Sequence, residues 1–381
     1  MKKLKANQYV YPYTPFYNLS HVKKKAVFTE GEIISLKSLN DLLSTLPELK
    51  VAITGNSIAE KILSIFAESE ILFGPRKYIR ENRNLWINKF NHFINTNSQI
   101  QMTILGFPFK MPISLKTNRT LPDMGEVLSL KRLNDIIQLV QSVYTPGAKI
   151  TIITEGVFGS FNHISKDEYK NYREFLEFVV SEFGWNGNLE IIELEKMEEL
   201  SSNFKKQFSN KVNSLKKLYL LKDKKFLGKY NGAEESIKRI INTKDLQVKE
   251  NILFEVYNDK LSDSDISKEA IKVRKYIKDE THKMLLQYHA YLMVRDDLNF
   301  IENFIPHAIT LTVSPKPNRL GIIPVSKNCI RLPYHGVPVY HEKIKDFTIE
   351  YLIDIERKNK TYKKMYWDKD KETRPFFYRE V

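Results

Sequence analysis

The sequence predicts an α/β protein: a Rossmann-like parallel sheet flanked by helices, with a helical insertion and a smaller C-terminal region. Two sets of observations carry that prediction. Gln101 to Phe107 (QMTILGF), Lys149 to Thr154 (KITIIT) and Leu189 to Leu194 (LEIIEL) are short apolar runs of the kind that form buried strands. Between the first two, Leu130, Leu133, Ile137, Val140 and Tyr144 recur at three- and four-residue steps, and Asp167 to Phe183 repeats that helical spacing between the second and third. Strand, helix, strand, helix, strand with short links implies right-handed crossovers, so the C-terminal ends of the strands lie side by side. In open sheets of this kind ligands bind in the crevice beyond those ends, which directs attention to GFPFKMP after the first strand and TEGVFGS after the second.

Taken in order, residues 1–30 read as an extended N-terminal arm. Residues 31–305 read as the α/β domain, opening with helical spacing at Ser38 to Leu46 and Ile58 to Ser69 around a short strand at Lys50 to Thr54. A Lys-rich stretch at about 196–279 reads as charged surface helices inserted in that domain, and a long helical pattern runs from Ile271 to Phe304. Residues 306–381 form the smaller C-terminal region, with strand-like runs AITLTV and LGIIPV around a Pro-containing turn. The end, Arg357 to Arg379, is charged and aromatic with little periodicity and reads as a wrapped tail.

Composition bounds the function. The 381 residues are 42% apolar and 28% charged, which suits a globular chain with a substantial core. Lys and Arg outnumber Asp and Glu by 60 to 46, giving a net charge of +14 that favours anionic partners. The lysines are spread along the chain without a basic, aromatic-interleaved module, so a solvated surface accounts for them and nucleic-acid binding ranks last. Cys329 is the single cysteine, which excludes an internal disulfide and any multi-thiolate metal site. The basic N-terminus lacks a secretory apolar stretch and no run approaches a membrane span, so the expectation is a cytoplasmic protein without a membrane partner.

Motifs prune further. There is no G-x-G-x-x-G after a strand, no phosphate-binding P-loop, no H-E-x-x-H and no G-x-S-x-G, and the eight histidines show no compact ligand spacing. Neither a cofactor nor a metal is expected. The positive signal is a cluster in one strand-loop-helix unit: Lys110, Lys116, Asp123, Glu126 and Arg132. Pro108 and Pro112 stiffen the loop that carries Lys110, a residue suited to pairing with phosphate or carboxylate. Asp123 and Glu126 follow Pro122 at a helix start, where the helix dipole alone favours acids; facing the crevice, they would form a proton-accepting pair beside Lys110. Glu155 ends the second strand and can serve as a crevice acid or simply cap a turn. His335, beside Tyr334 and between Pro333 and Pro338, is a fixed ring that suits either a structural hydrogen bond or proton transfer.

These segments resemble the pyoverdine/dityrosine biosynthesis family, the isocyanide (isonitrile) synthases. The family pattern reads here as Pro108-Phe109-Lys110, Lys116, Pro122-Asp123-Met124-Gly125-Glu126, Arg132-Leu133-Asn134, Tyr144-Thr145-Pro146-Gly147-Ala148 and Glu155-Gly156-Val157-Phe158, with Pro333-Tyr334-His335-Gly336-Val337 near the C-terminus. The resemblance spans roughly residues 100 to 340. It implies condensation of an amino acid's amine with ribulose 5-phosphate, whose ketone carbon is retained as the isocyanide, with no electron acceptor needed. It implies Lys110, Asp123, Glu126, Glu155 and His335 as catalytic residues, and Lys116, Arg132, Arg331 and Tyr334 as substrate-binding ones. It leaves room for a downstream tailoring oxygenase as partner. Two departures stand out: Thr310-Leu311-Thr312-Val313-Ser314-Pro315 replaces the family's R-L-S-I-H-P, and Glu155 replaces an Asp. If the missing pair binds phosphate or moves protons, Lys316, Arg319 or Arg331 must substitute, or the crevice serves a different amine or phosphosugar.

Overall fold

The protein is described by a computed structural model. It covers residues 25–381 except 111–115, 163, 200, 202, 221–251, 253–254, 257–260, 315, 330 and 371–372. Most of the expected N-terminal arm and the middle of the Lys-rich insertion lie outside the described residues.

In chain order the elements are β1 (Val27–Ile34), α1 (Leu36–Ser44), α2 (Ile58–Ala67), α3 (Arg76–Glu81), α4 (Arg83–Asn95), β2 (Ile100–Gly106), α5 (Met124–Val143) and β3 (Ala148–Thr154). There follow α6 (Val157–Phe161), α7 (Lys166–Glu182), β4 (Leu189–Glu193), α8 (Glu195–Glu199), α9 (Phe204–Leu220), α10 (Lys268–Asp297) and α11 (Phe300–Phe304). The chain closes with β5 (Ile309–Thr312), β6 (Leu320–Gly321), a 3-10 turn at Pro333–His335, β7 (Val337–His341), β8 (Asp346–Glu350), α12 (Leu352–Arg357), β9 (Thr361–Trp367) and β10 (Phe377–Glu380).

The first sheet has the order β4-β3-β2-β5-β6, and each of its pairings is parallel. β2 and β3 are buried along most of their length, which is why they read as near-continuous apolar runs rather than alternating ones. From β2 the chain steps one way to β3 and β4, whereas β5 pairs on β2's other side. The order therefore reverses between β2 and β5, and that is the switch point at which such sheets bind ligands. Leu130, Leu133, Ile137 and Val140 of α5 are buried in the main core as their spacing requires.

Local chemistry sets the helix starts. Ser57 and Glu60 form a capping box on α2, Asp123 and Glu126 on α5, and Ser165 and Glu168 on α7. Asn299, with φ of 50°, breaks the long C-terminal helical pattern into α10 and α11.

Three expectations fail. Lys50 to Thr54 does not join a sheet; Leu49, Val51 and Ile53 pack on the core as an unpaired segment, tied to α2 by Thr54 N–H donating to Ser64 Oγ at 2.9 Å. The wrapped tail is instead β9 and β10, which sit inside a second sheet of order β1-β9-β10-β7-β8. In that sheet β1, which overlaps the end of the expected arm, pairs parallel to β9. The division at residue 305 also fails, because β5 pairs with β2 and completes the first sheet. LGIIPV supplies only the two-residue β6.

One close approach joins α2's far end to this sheet. Phe73 N–H donates to Gly321 O at 3.2 Å, and a Cβ on Gly321 would run into the Phe73 carbonyl. Gly321→Ala is therefore expected to cost about 1–3 kcal/mol of stability, read by urea unfolding; an unchanged midpoint would show that this contact yields freely.

Candidate functional site

The chain leaves β2 through Phe107, held at φ of 48°, a left-handed conformation unusual for a bulky residue. That sharp turn and Pro108 aim Lys110 inward. Its ammonium donates to Glu126 Oε1 and Oε2 at 3.1 and 2.9 Å and to the Pro333 carbonyl at 3.1 Å. Asp123 Oδ2 lies 2.7 Å from the same nitrogen, close enough to pair ionically but not aligned for a hydrogen bond. The side chains of Lys110, Asp123 and Glu126 have no exposed surface at all.

The acids also cap α5. Gly125 N–H donates to Asp123 Oδ1, and Asp123 N–H donates to Glu126 Oε2, both at 2.8 Å. Tyr172, from α7, donates its hydroxyl to Glu126 Oε1 at 2.9 Å. Burial pushes the Asp123 carboxyl well above its ordinary range, with the Glu126 charge adding to the rise. Burial would raise Glu126 as well, but the Lys110 charge and the hydrogen bonds from Asp123 and Lys110 outweigh it and hold Glu126 low. Of the two acids, Asp123 thus holds a proton more readily, and Glu126 is the one favoured as the charged partner of Lys110. Tyr172 stays neutral, its pKa raised by burial and by Glu126.

The three residues do converge, as the sequence predicted, but on one another rather than on an open hollow. They clamp the loop after β2, the start of α5, α7 and the Pro333 turn into one ion-paired lock. Beside it, at the switch point, a hollow of about 20 Å³ is lined by Gly106, Phe107, Leu133, Val313, Pro333 and Tyr334 among others. Gly106 is buried, yet a Cβ there would meet nothing within 4 Å, so it opens onto this space. The Tyr334 ring meets Phe107 edge-on at 6.2 Å and His335 at 4.7 Å.

A second charged group lies at the C-terminal ends of the strands. Glu155, immediately beyond β3, is pushed up to about 7 by burial, against the pull of Arg295, Arg319 and Lys316. Arg295, in the last turn of α10, reaches within 3.7 Å of Glu155 Oε1. Such a carboxyl changes protonation near neutrality, which suits proton transfer.

The remaining predicted residues are placed as follows. Lys116 and Arg331 both lie over the Tyr351 ring, 4.6 and 4.2 Å from its centre, and Arg331 approaches Asp354 at 3.6 Å. Arg132 does not join the site: Nε donates to Ile323 O at 2.8 Å and Nη2 to Glu70 O, so its guanidinium ties α5 to two loops. Sequence reasoning missed Tyr172, Arg295 and Arg119, the last fully buried and bidentate to Asp370 at 2.6 and 2.9 Å. Among the described residues no group of three or more His, Cys, Asp or Glu could hold a metal, and no helix is long and apolar enough to cross a membrane.

A parallel α/β sheet with charged residues gathered at its strand ends defines a protein of the doubly wound class. A sequence profile described as pyoverdine/dityrosine biosynthesis protein matches residues 90–362, and the chain belongs to that family. It is 23% identical over 263 residues to an L-tryptophan isonitrile synthase of Fischerella ambigua, covering 68% of this chain and 73% of that one. It is 32% identical over 141 residues to an L-tyrosine isonitrile synthase of Pseudomonas aeruginosa, covering 34% of this chain and 43% of that one. The crystal structure of PvcA from Pseudomonas aeruginosa shares the fold, with a TM-score of 0.63 at 20% identity over 85% of this chain and 99% of the other.

Removing one partner of a sealed ion pair leaves an uncompensated charge. Lys110→Met is expected to lower unfolding stability by about 3–5 kcal/mol, measured by chemical denaturation. A loss under about 1 kcal/mol would mean that water reaches the lock.

Proposed function

We propose that the protein is an isonitrile synthase that joins the amine of an aromatic amino acid to the ketone carbon of ribulose 5-phosphate and keeps that carbon as the isonitrile. The observation within the molecule that carries the reading is Glu155, a carboxyl poised at about 7 at the strand ends beside Arg295. The names of its relatives, tyrosine and tryptophan isonitrile synthases, supply the substrate class.

Condensation needs a neutral amine, and a carboxylate near the amine's side of the crevice can take the ammonium proton. A residue titrating near neutrality both accepts that proton and returns it to a departing oxygen. The ketone carbon begins and ends at the same oxidation level, so breaking its bonds to both sugar neighbours asks for proton transfers rather than an oxidant. On this reading Glu155 performs those transfers as a lyase's acid and base. The lock of Lys110, Asp123 and Glu126 positions the Pro333–Tyr334–His335 turn against the end of β2, and His335 is the second candidate for moving protons. Lys116 and Arg331 at Tyr351 are candidate contacts for a substrate anion. A cytoplasmic setting, where both substrates are made, fits the reading.

Incubating the purified chain with tyrosine or tryptophan and ribulose 5-phosphate is expected to give a product with the infrared band of an isonitrile. No such product from any common amino acid, beside an active relative, would refute the assignment. The pH dependence follows from Glu155's raised pKa: the carboxyl is protonated below about 7 and ionised above it. A base must be ionised, so kcat/KM is expected to rise with pH through about 7, and Glu155→Gln is expected to lower the rate about 10²–10⁴-fold and abolish that limb. A limb that survives the substitution would assign the base elsewhere.

A further inference from the structure

We propose that Arg295, Lys316 and Arg319 form an oxoanion seat beside Glu155 that holds the phosphomonoester of the sugar substrate. The proposal rests on the reading above for the identity of that substrate, but the seat itself is argued from the placement of its residues.

In the order β4-β3-β2-β5-β6, β3 and β5 flank β2. Glu155 follows β3, and Lys316 and Arg319 lie in the connection from β5 to β6, so the two segments stand on either side of the end of β2. Arg295 enters from the last turn of α10 and touches Glu155 at 3.7 Å. Arg295, in contact with Glu155, and Lys316 and Arg319, whose charges reach it from the β5–β6 connection, thus act on one carboxylate at the strand ends.

Their surroundings leave them under-compensated. Arg295 has a side chain only 6% exposed and shares Asp296, which is 65% exposed, through contacts at 2.9 and 3.1 Å. Neither Lys316 nor Arg319 has a carboxylate within ion-pairing reach among the described residues. Partial desolvation and mutual repulsion push both of these cations down: Lys316, itself exposed, feels Arg319 and Arg295, and the half-buried Arg319 feels Arg295. Within ion-pairing reach among the described residues, the three cations thus have only Asp296 and Glu155, and both of these lie against Arg295. Holding like charges together costs free energy unless an anion joins them.

A helix-dipole contact explains Arg295 at the end of α10 by itself. It does not explain why the β5–β6 connection brings two further cations to the same carboxylate. Arginine forks match the oxygens of a phosphomonoester, and a dianion offsets the excess positive charge better than a single carboxylate.

The test uses the full chain and the variants Lys316→Met, Arg319→Met and their combination, with Arg76→Met on the distant α3 as a control for lost surface charge. The double variant is expected to raise the KM for ribulose 5-phosphate about 10–100-fold while leaving the KM for the amino acid unchanged. Calorimetric titration with inorganic phosphate and with ribulose 5-phosphate is expected to show binding to the wild type, lost in the double variant and kept in the control. An unchanged sugar-phosphate KM overturns the seat. A rise confined to the amino acid's KM overturns it too, because the cations would then hold the substrate carboxylate. If the wild type forms no isonitrile, calorimetry still decides: phosphate binding that depends on Lys316 and Arg319 supports the seat while the catalytic reading fails, and binding indifferent to them, or absent, overturns it. Should the double variant fail to fold, Lys316→Met alone, at an exposed position, carries the same comparison.

Discussion

A single ammonium group, that of Lys110, organises the region where the two halves of the chain meet. Its hydrogen bonds run to Glu126 at the start of α5 and to the backbone of Pro333, more than two hundred residues later in sequence. Glu126 in turn receives Tyr172 from α7. A buried charge of this kind is costly unless every partner is in place, so it acts as a register pin: the loop after β2, two helices and the Pro333 turn either assemble together or not at all. The small hollow at Gly106 and Tyr334 exists because that pin fixes its walls.

The cluster that the sequence singled out around Lys110 is mostly a sealed lock, whereas the chemistry proposed above is assigned outside it. The sealed lock holds geometry, whereas the groups with variable protonation and surplus charge gather at Glu155, Arg295, Lys316 and Arg319. A carboxyl near neutrality among several cations is, on the proposed reading, the reactive arrangement; a carboxylate clamped by a lysine and a tyrosine in the dry interior is a rigid one. Both sit at the end of the parallel sheet, which explains why one motif-rich unit can feed each.

Much of this was legible beforehand, for reasons that can be named. β2 and β3 were legible because strands buried on both faces leave apolar runs that a helix of different patterning separates, and the edge strand β4 because Leu189, Ile191 and Ile192 still form a short apolar run. The meeting of Lys110, Asp123 and Glu126 was legible because a proline-stiffened loop and a capping box are local features. β9 was not: TYKKMYW carries lysines at 363 and 364 between its buried Tyr362 and Met365, and its partner β1 comes from the other end of the chain. Arg295 was equally hidden, since an arginine at a helix end looks like any solvated one until tertiary packing buries it against Glu155. Arg132 misled in the opposite sense: its place in a family-like motif marked importance, but the carbonyls it serves belong to loops no local pattern connects.

The most direct test of the division between lock and chemistry is hydrogen exchange on Glu126→Gln, which keeps the side chain's shape and removes its charge. The account predicts faster amide exchange together in the segment after β2, at the start of α5 and around Gly336, with Glu155's surroundings unaltered. Unchanged protection in all three segments, alongside a complete loss of turnover, would contradict it and make the buried carboxylate part of the reaction itself.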